Sequence, residues 1–582
     1  MFRLKKYLKD YKLQLTIGPI CKLIEAIFEL IVPLVMASII DVGVLQGDRD
    51  YVIKGGLIML LLGALGLGFA LVCQKSAAIT SQGSGTKLRN ALYKHINTLS
   101  YHDLDTIGTA SLITRMTNDI NQLQLAVAMI IRLVIRAPFL VIGALIMAMT
   151  IDLRISIIFF ISAVIIGFIL YLIMSKSIPF FKTMQKGLDK LSLISRENLS
   201  GNRVIRAFSK QKYDINRFDN CADDVAKTAV RVGRLSAMLN PLTYVVANLA
   251  IVAIVWFGGV FVNVGELLPG QIIALVNYMT QILLAMIVVS NLVVIFTKAS
   301  ASATRINEVF DTKPTVLETS ASNITPIKGS AKIEFKDVCF SYGDDKNALQ
   351  GISLTINKGE TIGIIGGTGC GKSTLINLIP RFYDVTKGEI LVDGINVQMY
   401  PFKQLRRKIG LVPQRAVLFT GTIKENLCYL KANATDEDIE KALEISQAKE
   451  FVDNLPLKAN TDIVRGGQNL SGGQKQRLTI ARAVIAKPEI LILDDSASAL
   501  DFATDKALRY AIKAGIENTT VIIVSQRVAS VNDADKIVVL HNGHMVDIGT
   551  HNYLYNNCDE YKEICHSQGQ TGGQKGSQEV EK

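Results

Sequence analysis

The chain has 582 residues, 63 Lys and Arg against 51 Asp and Glu, and 49% hydrophobic residues, with a mean hydropathy of +0.30. These values exclude a disordered chain, a collagen and a small disulfide scaffold, and they fit poorly with an ordinary soluble enzyme. The formal charge of +12 does not point to nucleic acid, because Lys and Arg gather beside the apolar runs, where they set membrane orientation.

Apolar runs crowd the first half of the chain and thin out in the second, which predicts a membrane half and a soluble half. The basic start, with Arg3, Lys5, Lys6, Lys9 and Lys12, precedes an apolar stretch far longer than a signal-peptide core and is expected to be an uncleaved anchor. Six stretches, near 14–41, 52–74, 127–149, 153–174, 238–262 and 269–297, are long enough to cross about 30 Å of hydrocarbon as helices. Long polar segments of helical composition separate the second from the third and the fourth from the fifth. Residues 175–235 carry thirteen Lys and Arg, whereas the links near 42–51 and 149–154 carry one each and 262–270 carries none. The N-terminus and both long segments are therefore expected on the cytoplasmic side of the cell membrane.

The first span holds Glu25 and Glu29 at i, i+4, and the third holds Arg132 and Arg136 in the same spacing. Counted from the outer ends at about 1.5 Å per residue, Glu29 and Arg136 lie about 22 and 21 Å down, Glu25 and Arg132 about 28 and 27 Å. The matched depths predict two stacked ion pairs, Glu29 with Arg136 and Glu25 with Arg132. Polar Asn277, Gln281 and Asn291 in the sixth span suit either a substrate cavity or interhelical hydrogen bonds.

Pro314, Pro326 and Gly329 break the helical pattern at 311–330, which marks a linker after a membrane domain over 1–310. From Ala331 to about residue 567, β-rich runs such as IEFKDVCFSY, TIGIIGG, EILILDD, TVIIVSQ and KIVVLHNG alternate with helical stretches, predicting an α/β domain with a largely parallel sheet. The polar, Gly/Gln-rich tail over 568–582 is expected to be disordered.

Within the α/β domain, Gly366-Gly367-Thr368-Gly369-Cys370-Gly371-Lys372-Ser373-Thr374 follows a strand and opens a helix. This is the P-loop arrangement, in which glycines let backbone N–H groups face phosphate, the lysine reaches the β- and γ-phosphates and Ser373 ligates Mg²⁺. The strand at Glu489–Leu493 ends in Asp494-Asp495, so a carboxylate emerges where nucleotide sites form, and Asp494 is expected beside the magnesium. Leu470-Ser471-Gly472-Gly473-Gln474 precedes an apolar helical run.

In this order, the P-loop, Asp494 and LSGGQ resemble the signature of ATP-binding cassette (ABC) proteins, and six spans fused to one cassette resemble a half-size ABC exporter. The resemblance implies ATP and Mg²⁺ as cofactors and an ATPase that drives transport. It implies that Tyr342 stacks on adenine and that Gln414 senses Mg²⁺ and contacts the membrane domain. Ser471 to Gln474 would bind the γ-phosphate of ATP held by a second cassette. Two regions, around His102 and Asp103 and from Glu197 to Ser209, would hold the helices that press on cassettes. The expected cargo is a hydrophobic or amphipathic compound, drug or lipid-like, and the expected neighbours are membrane lipid and a second half-transporter.

Departures from that pattern direct the finer expectation. Where the family's hydrolytic subunits carry a basic Glu, this chain has Asp495; Gln526 replaces the switch His, and Arg465 a common Glu. Asp is one methylene shorter than Glu, and a misplacement of about 1 Å can cost ~10²-fold in rate. The resemblance thus implies the impaired-site subunit of a heterodimer whose partner carries an intact Glu and His. The alternatives are a homodimeric lipid flippase or drug exporter hydrolysing slowly with Asp495, and an ATP-gated regulator or channel that does not pump.

Overall fold

Backbone polar groups in hydrocarbon must be satisfied within the chain, so the apolar runs of the first half fold as helices. The computed structural model describes residues 2–319, 324–343 and 347–569; four residues of the expected linker and the expected tail from 570 on lie outside them. The chain divides into one unit running to Asn97 and from Ile107 to Thr312, and a second comprising Thr98–Thr106 and the residues from Lys313 on.

Six helices of the first unit are long and apolar enough to cross a membrane: Lys5–Val44, Arg49–Ile96, Thr109–Ile151, Leu153–Ala207, Gln211–Asn263 and Pro269–Asp311. Arg49–Ile96 and Leu153–Ala207 have 48 and 55 residues, or about 72 and 82 Å at 1.5 Å rise, so they continue unbroken into the polar segments. Asp48 and Asp152 start them, each accepting from backbone N–H groups of the first turn at 2.8 to 3.0 Å.

Three short π-helical turns interrupt the first and third spans, at Ile39–Val44, Arg115–Asp119 and Ile130–Val134, and each carries a charged residue. Asp41 Oδ1 accepts from Gly270 N at 2.6 Å, placing a carboxylate on the positive N-terminal end of the sixth span. Asp119, fully buried, accepts from Ser302 Oγ at 2.9 Å and from Arg305 Nε at 2.8 Å.

The third charged residue is Arg132, and here one of the two expected ion pairs fails. Arg136 Nη2 meets Glu29 Oε2 at 2.7 Å, as the depths predict. Glu25 does not pair with Arg132: both of its oxygens accept from Lys22 Nζ at 2.7 Å. Lys22 lies one turn away on the same helix, so the Lys22–Glu25 pair forms without help from another element. In the sixth span, Gln281 Nε2 donates to the Glu29 carbonyl at 3.1 Å, whereas Asn277 Nδ2 bonds its own helix at Ile273.

The second unit is built on two sheets. β1 (Ile333–Phe340), β2 (Leu349–Ile356), β4 (Lys387–Val392) and β5 (Ile395–Asn396) form an antiparallel sheet in the order β2-β1-β4-β5. β3 (Thr361–Gly366), β6 (Ile409–Val412), β9 (Ile490–Asp494), β10 (Thr520–Val524), β11 (Lys536–His541) and β12 (His544–Gly549) form the core sheet. Its order is β12-β11-β3-β10-β9-β6, parallel except for the edge strand β12. β7 (Gly421–Thr422) and β8 (Asp462–Ile463) make a small separate pair. Buried Ile, Leu and Val from both large sheets share one core, which fixes the ends of β3 and β9 side by side with β10.

Helix Tyr101–Ile107 begins inside the short segment grouped with this second unit. The Tyr101 ring lies 4.5 Å from that of Phe382 and 6.4 Å from that of Tyr383. Asp103 accepts from Ser100 N and Oγ at 2.9 and 2.7 Å and from Thr315 N at 3.2 Å. Burial alone raises its carboxyl, but these hydrogen bonds outweigh it and hold the group below its usual range.

A buried charge cluster ties both sheets. Lys332, 3% exposed, donates to Asp393 at 2.7 Å and pairs with Glu489, and Lys408 reaches the same two carboxylates at 2.6 and 3.2 Å. Burial pushes Asp393 up, and the two lysines more than reverse it, leaving the carboxyl below its ordinary value. A lowered folded value means that this contribution to stability is present above the unfolded carboxylate range and is lost as pH falls through the folded value. Lys332→Met should therefore lower stability by about 3 kcal/mol at pH 7, and by less at pH 3, in a thermal or denaturant melt of the purified chain.

Candidate nucleotide-binding site

Close backbone approach dictates the glycines of the loop after β3. Gly366 and Gly371 have φ of 156° and 101°, which side-chain-bearing residues rarely adopt. A Cβ at Gly371 would also stand 2.8 Å from Leu349 Cδ2 and 2.9 Å from the Ala348 carbonyl oxygen. The loop turns directly into helix Lys372–Leu378, so its first N–H groups and positive end face outward from the sheet. Lys372 is buried, and its Nζ donates to the Gly366 and Gly367 carbonyls at 2.7 Å, with Cys370 Sγ at 3.6 Å.

Two acidic residues close the opposite wall. Asp494, 8% exposed, accepts from Ser373 Oγ at 3.2 Å. Asp495 has a φ of 44°; its N–H donates to Val524 O at 2.9 Å and its Oδ2 accepts from Gln414 Nε2 at 3.3 Å. Burial raises both carboxyls above their ordinary range. The neighbouring Asp495 adds to the rise at Asp494, while Ser373 and Lys372 oppose it; at Asp495 the opposition comes from Gln414, Lys372 and Arg527.

A cavity of about 310 Å³ gathers these groups. Tyr342, Thr368, Gly369, Gly371, Lys372, Ser373, Thr374, Gln414, Asp494, Asp495 and Gln526 all line it. Tyr342 forms one side, its hydroxyl 3.1 Å from Thr374 Oγ1 and its ring edge-on to those of Phe340 and Tyr383. Gly366 and Cys370 are buried beneath the loop, and Gly367 is exposed; none of the three lines the cavity. Ser471, Gly472, Gly473 and Gln474 are elsewhere: Ser471 caps helix Gly472–Val484, with Ser471 and Gln474 bonded reciprocally at 2.8 and 3.3 Å. They do not line this cavity.

The donor set suits a magnesium nucleotide. A hydroxyl beside a buried carboxylate offers the hard oxygens that Mg²⁺ prefers, with phosphate able to complete the shell, and the raised Asp494 carboxyl is one that a divalent cation would hold ionised. Bound there, Mg²⁺ would neutralise charge on the β- and γ-phosphates. Sequence reasoning missed the Gln414–Asp495 hydrogen bond and the support of Tyr342 by Tyr383, because both bring together residues far apart in the chain.

The family described as ABC transporter transmembrane region matches residues 15–286, and that described as ABC transporter matches residues 349–498. An uncharacterised ABC transporter ATP-binding protein of Mycobacterium tuberculosis is 36% identical over 570 residues, covering 97% of both chains. The chain therefore belongs to the ABC transporter family: a half-size transporter, with six membrane-spanning helices fused to one cytoplasmic ATP-hydrolysing domain that uses ATP and Mg²⁺. It is also similar to an ATP-dependent lipid A-core flippase of Desulfotalea psychrophila, 32% identical over 478 residues, 81% of this chain and 82% of that one. A bacterial Atm1-family ABC exporter solved with ATP bound has the same fold, with a TM-score of 0.79, 22% identity and coverage of 97% and 99%.

These relatives overturn the expectation of a different second half-transporter bearing an intact Glu and switch His. The lipid A-core flippases match over 82% and 96% of their own length and are named for a complete activity, not as one of two unlike subunits. The inference from Asp495 and Gln526 to an unlike partner failed because a shortened carboxylate can slow a site without requiring another chain to replace it.

Burying the Asp494 carboxylate costs stability above its raised folded value, and the cost is relieved as pH falls through it. Asp494→Asn should accordingly raise the thermal midpoint of the nucleotide-free protein at pH 7, while removing the further rise that Mg²⁺ and ATP give the parent chain.

Proposed function

We propose that this chain pairs with a second copy of itself and uses ATP to move a hydrophobic or lipid-like compound across the membrane. The observation that carries the reading is the split site. One cavity holds Lys372, Ser373, Asp494 and Gln414, while Ser471 to Gln474 stay outside it, so the signature of one copy is available to close the cavity of the other. The lipid A-core flippase relatives support the cargo class. The turn between Leu153–Ala207 and Gln211–Ala237, with Phe208 72% exposed and Leu199 and Tyr213 also exposed, supplies apolar surface for a second copy to cover.

Within each site Lys372 holds the phosphates and Tyr342 packs on the base. Asp495, anchored by Gln414, accepts the proton of the attacking water; burial keeps its carboxyl basic for an aspartate. Gln526 lies at the mouth in the position of the switch His and offers a neutral amide instead of an ionisable ring. Such a site turns over slowly, because Asp495 reaches one methylene less far than a glutamate would.

The chain purified alone should therefore hydrolyse ATP in liposomes. Asp495→Asn should lower kcat by about 10²-fold or more, and Asp495→Glu should raise it by about tenfold or more. Ser471→Arg should be as inactive as Asp495→Asn. Turnover indifferent to Asp495 would remove it from the chemistry, and no turnover by the chain alone would remove the self-paired reading.

A further inference from the structure

Charges within the spans can be counted. Away from the outer ends, the six expected spans contain three cations, Lys22, Arg132 and Arg136, and two anions, Glu25 and Glu29. Lys22 takes Glu25 and Arg136 takes Glu29. Among the described residues Arg132 has no ion pair or hydrogen bond, and its Nε is buried without a partner. An unpaired guanidinium in a bilayer is costly and points to a functional site.

Its setting is built rather than incidental. Arg132 stands in the π turn Ile130–Val134, a local distortion common at functional sites, and the equivalent turns at Asp41 and Asp119 each place their charge on a partner in the sixth span. Its neighbour Ile131 packs with Cys21 of the first span and with Cys73 and Ala77 of the second, so the turn that carries the guanidinium lies where three helices meet. At about 27 Å below the outer end at 1.5 Å per residue, it lies in the last few ångströms of a hydrocarbon core about 30 Å thick. The guanidinium is thus inside the hydrocarbon but within a side chain's reach of the inner-leaflet headgroups.

We propose that Arg132 receives the acidic headgroup, phosphate or carboxylate, of the amphiphile that the membrane domain carries. The guanidinium fork matches two oxygens of either group, and the anion brings this five-charge group to neutrality. The inference rests on the transport reading above and narrows its cargo from lipid-like to anionic and lipid-like. A water-reaching arginine that merely extends toward the interface would show no such preference.

The test titrates the purified full chain, in nanodiscs of phosphatidylcholine, with dodecyl phosphate, with uncharged dodecyl maltoside and with inorganic phosphate. The parent chain should bind dodecyl phosphate at least tenfold more tightly than dodecyl maltoside, and inorganic phosphate at equal concentration should not displace it. Arg132→Gln should reduce the preference to threefold or less, and Arg132→Lys should leave part of it. Repeating the titration with phosphatidylglycerol in the disc separates the sources: masking of the preference identifies resident anionic lipid as the headgroup's source, persistence identifies the added amphiphile, and either supports an acidic headgroup at Arg132. Equal binding of the two dodecyl compounds by the parent chain, an undiminished preference in Arg132→Gln, or equal competition by inorganic phosphate overturns the proposal. Binding of neither dodecyl compound would overturn the lipid-like cargo itself, a different result from binding both alike.

Discussion

One buried cation organises the cassette. Lys372 is held by two carbonyl oxygens of its own loop at 2.7 Å, which orient the ammonium but leave its charge uncompensated. The loop can bend back over the lysine because Gly366 and Gly371 adopt backbone angles closed to other residues. The buried core shared by both sheets sets the ends of β3 and β9 so that Asp494 faces the same space. Phosphate is the ligand that answers a buried ammonium, a helix N-terminus and a row of backbone N–H groups together, and the buried Asp494 beside the half-buried Asp495 across the cavity then calls for a divalent cation or protons.

The membrane domain obeys the same constraint in a different solvent. Its sixth span is fastened by polar contacts at several heights: Gly270 to Asp41, Tyr278 hydroxyl to the Leu30 carbonyl at 2.7 Å, Gln281 to the Glu29 carbonyl, and Ser302 with Arg305 to Asp119. Packing between helices in lipid lacks a strong hydrophobic drive, so such contacts set which faces meet. Among the described residues, Arg132 stands apart from these contacts, its guanidinium in no ion pair or hydrogen bond.

What the sequence made legible follows from how local each signal is. The P-loop, Asp494-Asp495 and LSGGQ are contiguous strings, each set at the end of a strand or the start of a helix, and their neighbours in the chain remain their neighbours in space. The six spans were legible because about 20 apolar residues in a row leave few alternatives. β2, β4, β6 and β12 were missed, as were the two-residue β5, β7 and β8: β2 alternates buried and exposed residues, β4 has only three buried positions at its end, and β6 has only four residues. Helix rise gives a residue's depth but not its direction around the axis, which is why Glu29–Arg136 was found and the competition of Lys22 for Glu25 was not. Asp495 and Gln526 stand out against the family pattern, yet residue identity alone could not say whether the consequence was a slow site or an unlike partner.

The claim that each site is shared between two copies of this chain has a direct test by complementation. Lys372→Ala disables the phosphate side of a site and Ser471→Arg its closing side, so a pair of identical variants of either kind has two defective sites. A mixed pair gathers both defects into one site and leaves the other whole. Co-expressed copies carrying different tags, purified through both, should therefore recover ATPase activity well above that of either variant alone. Mixed pairs as inactive as their parents would contradict the account.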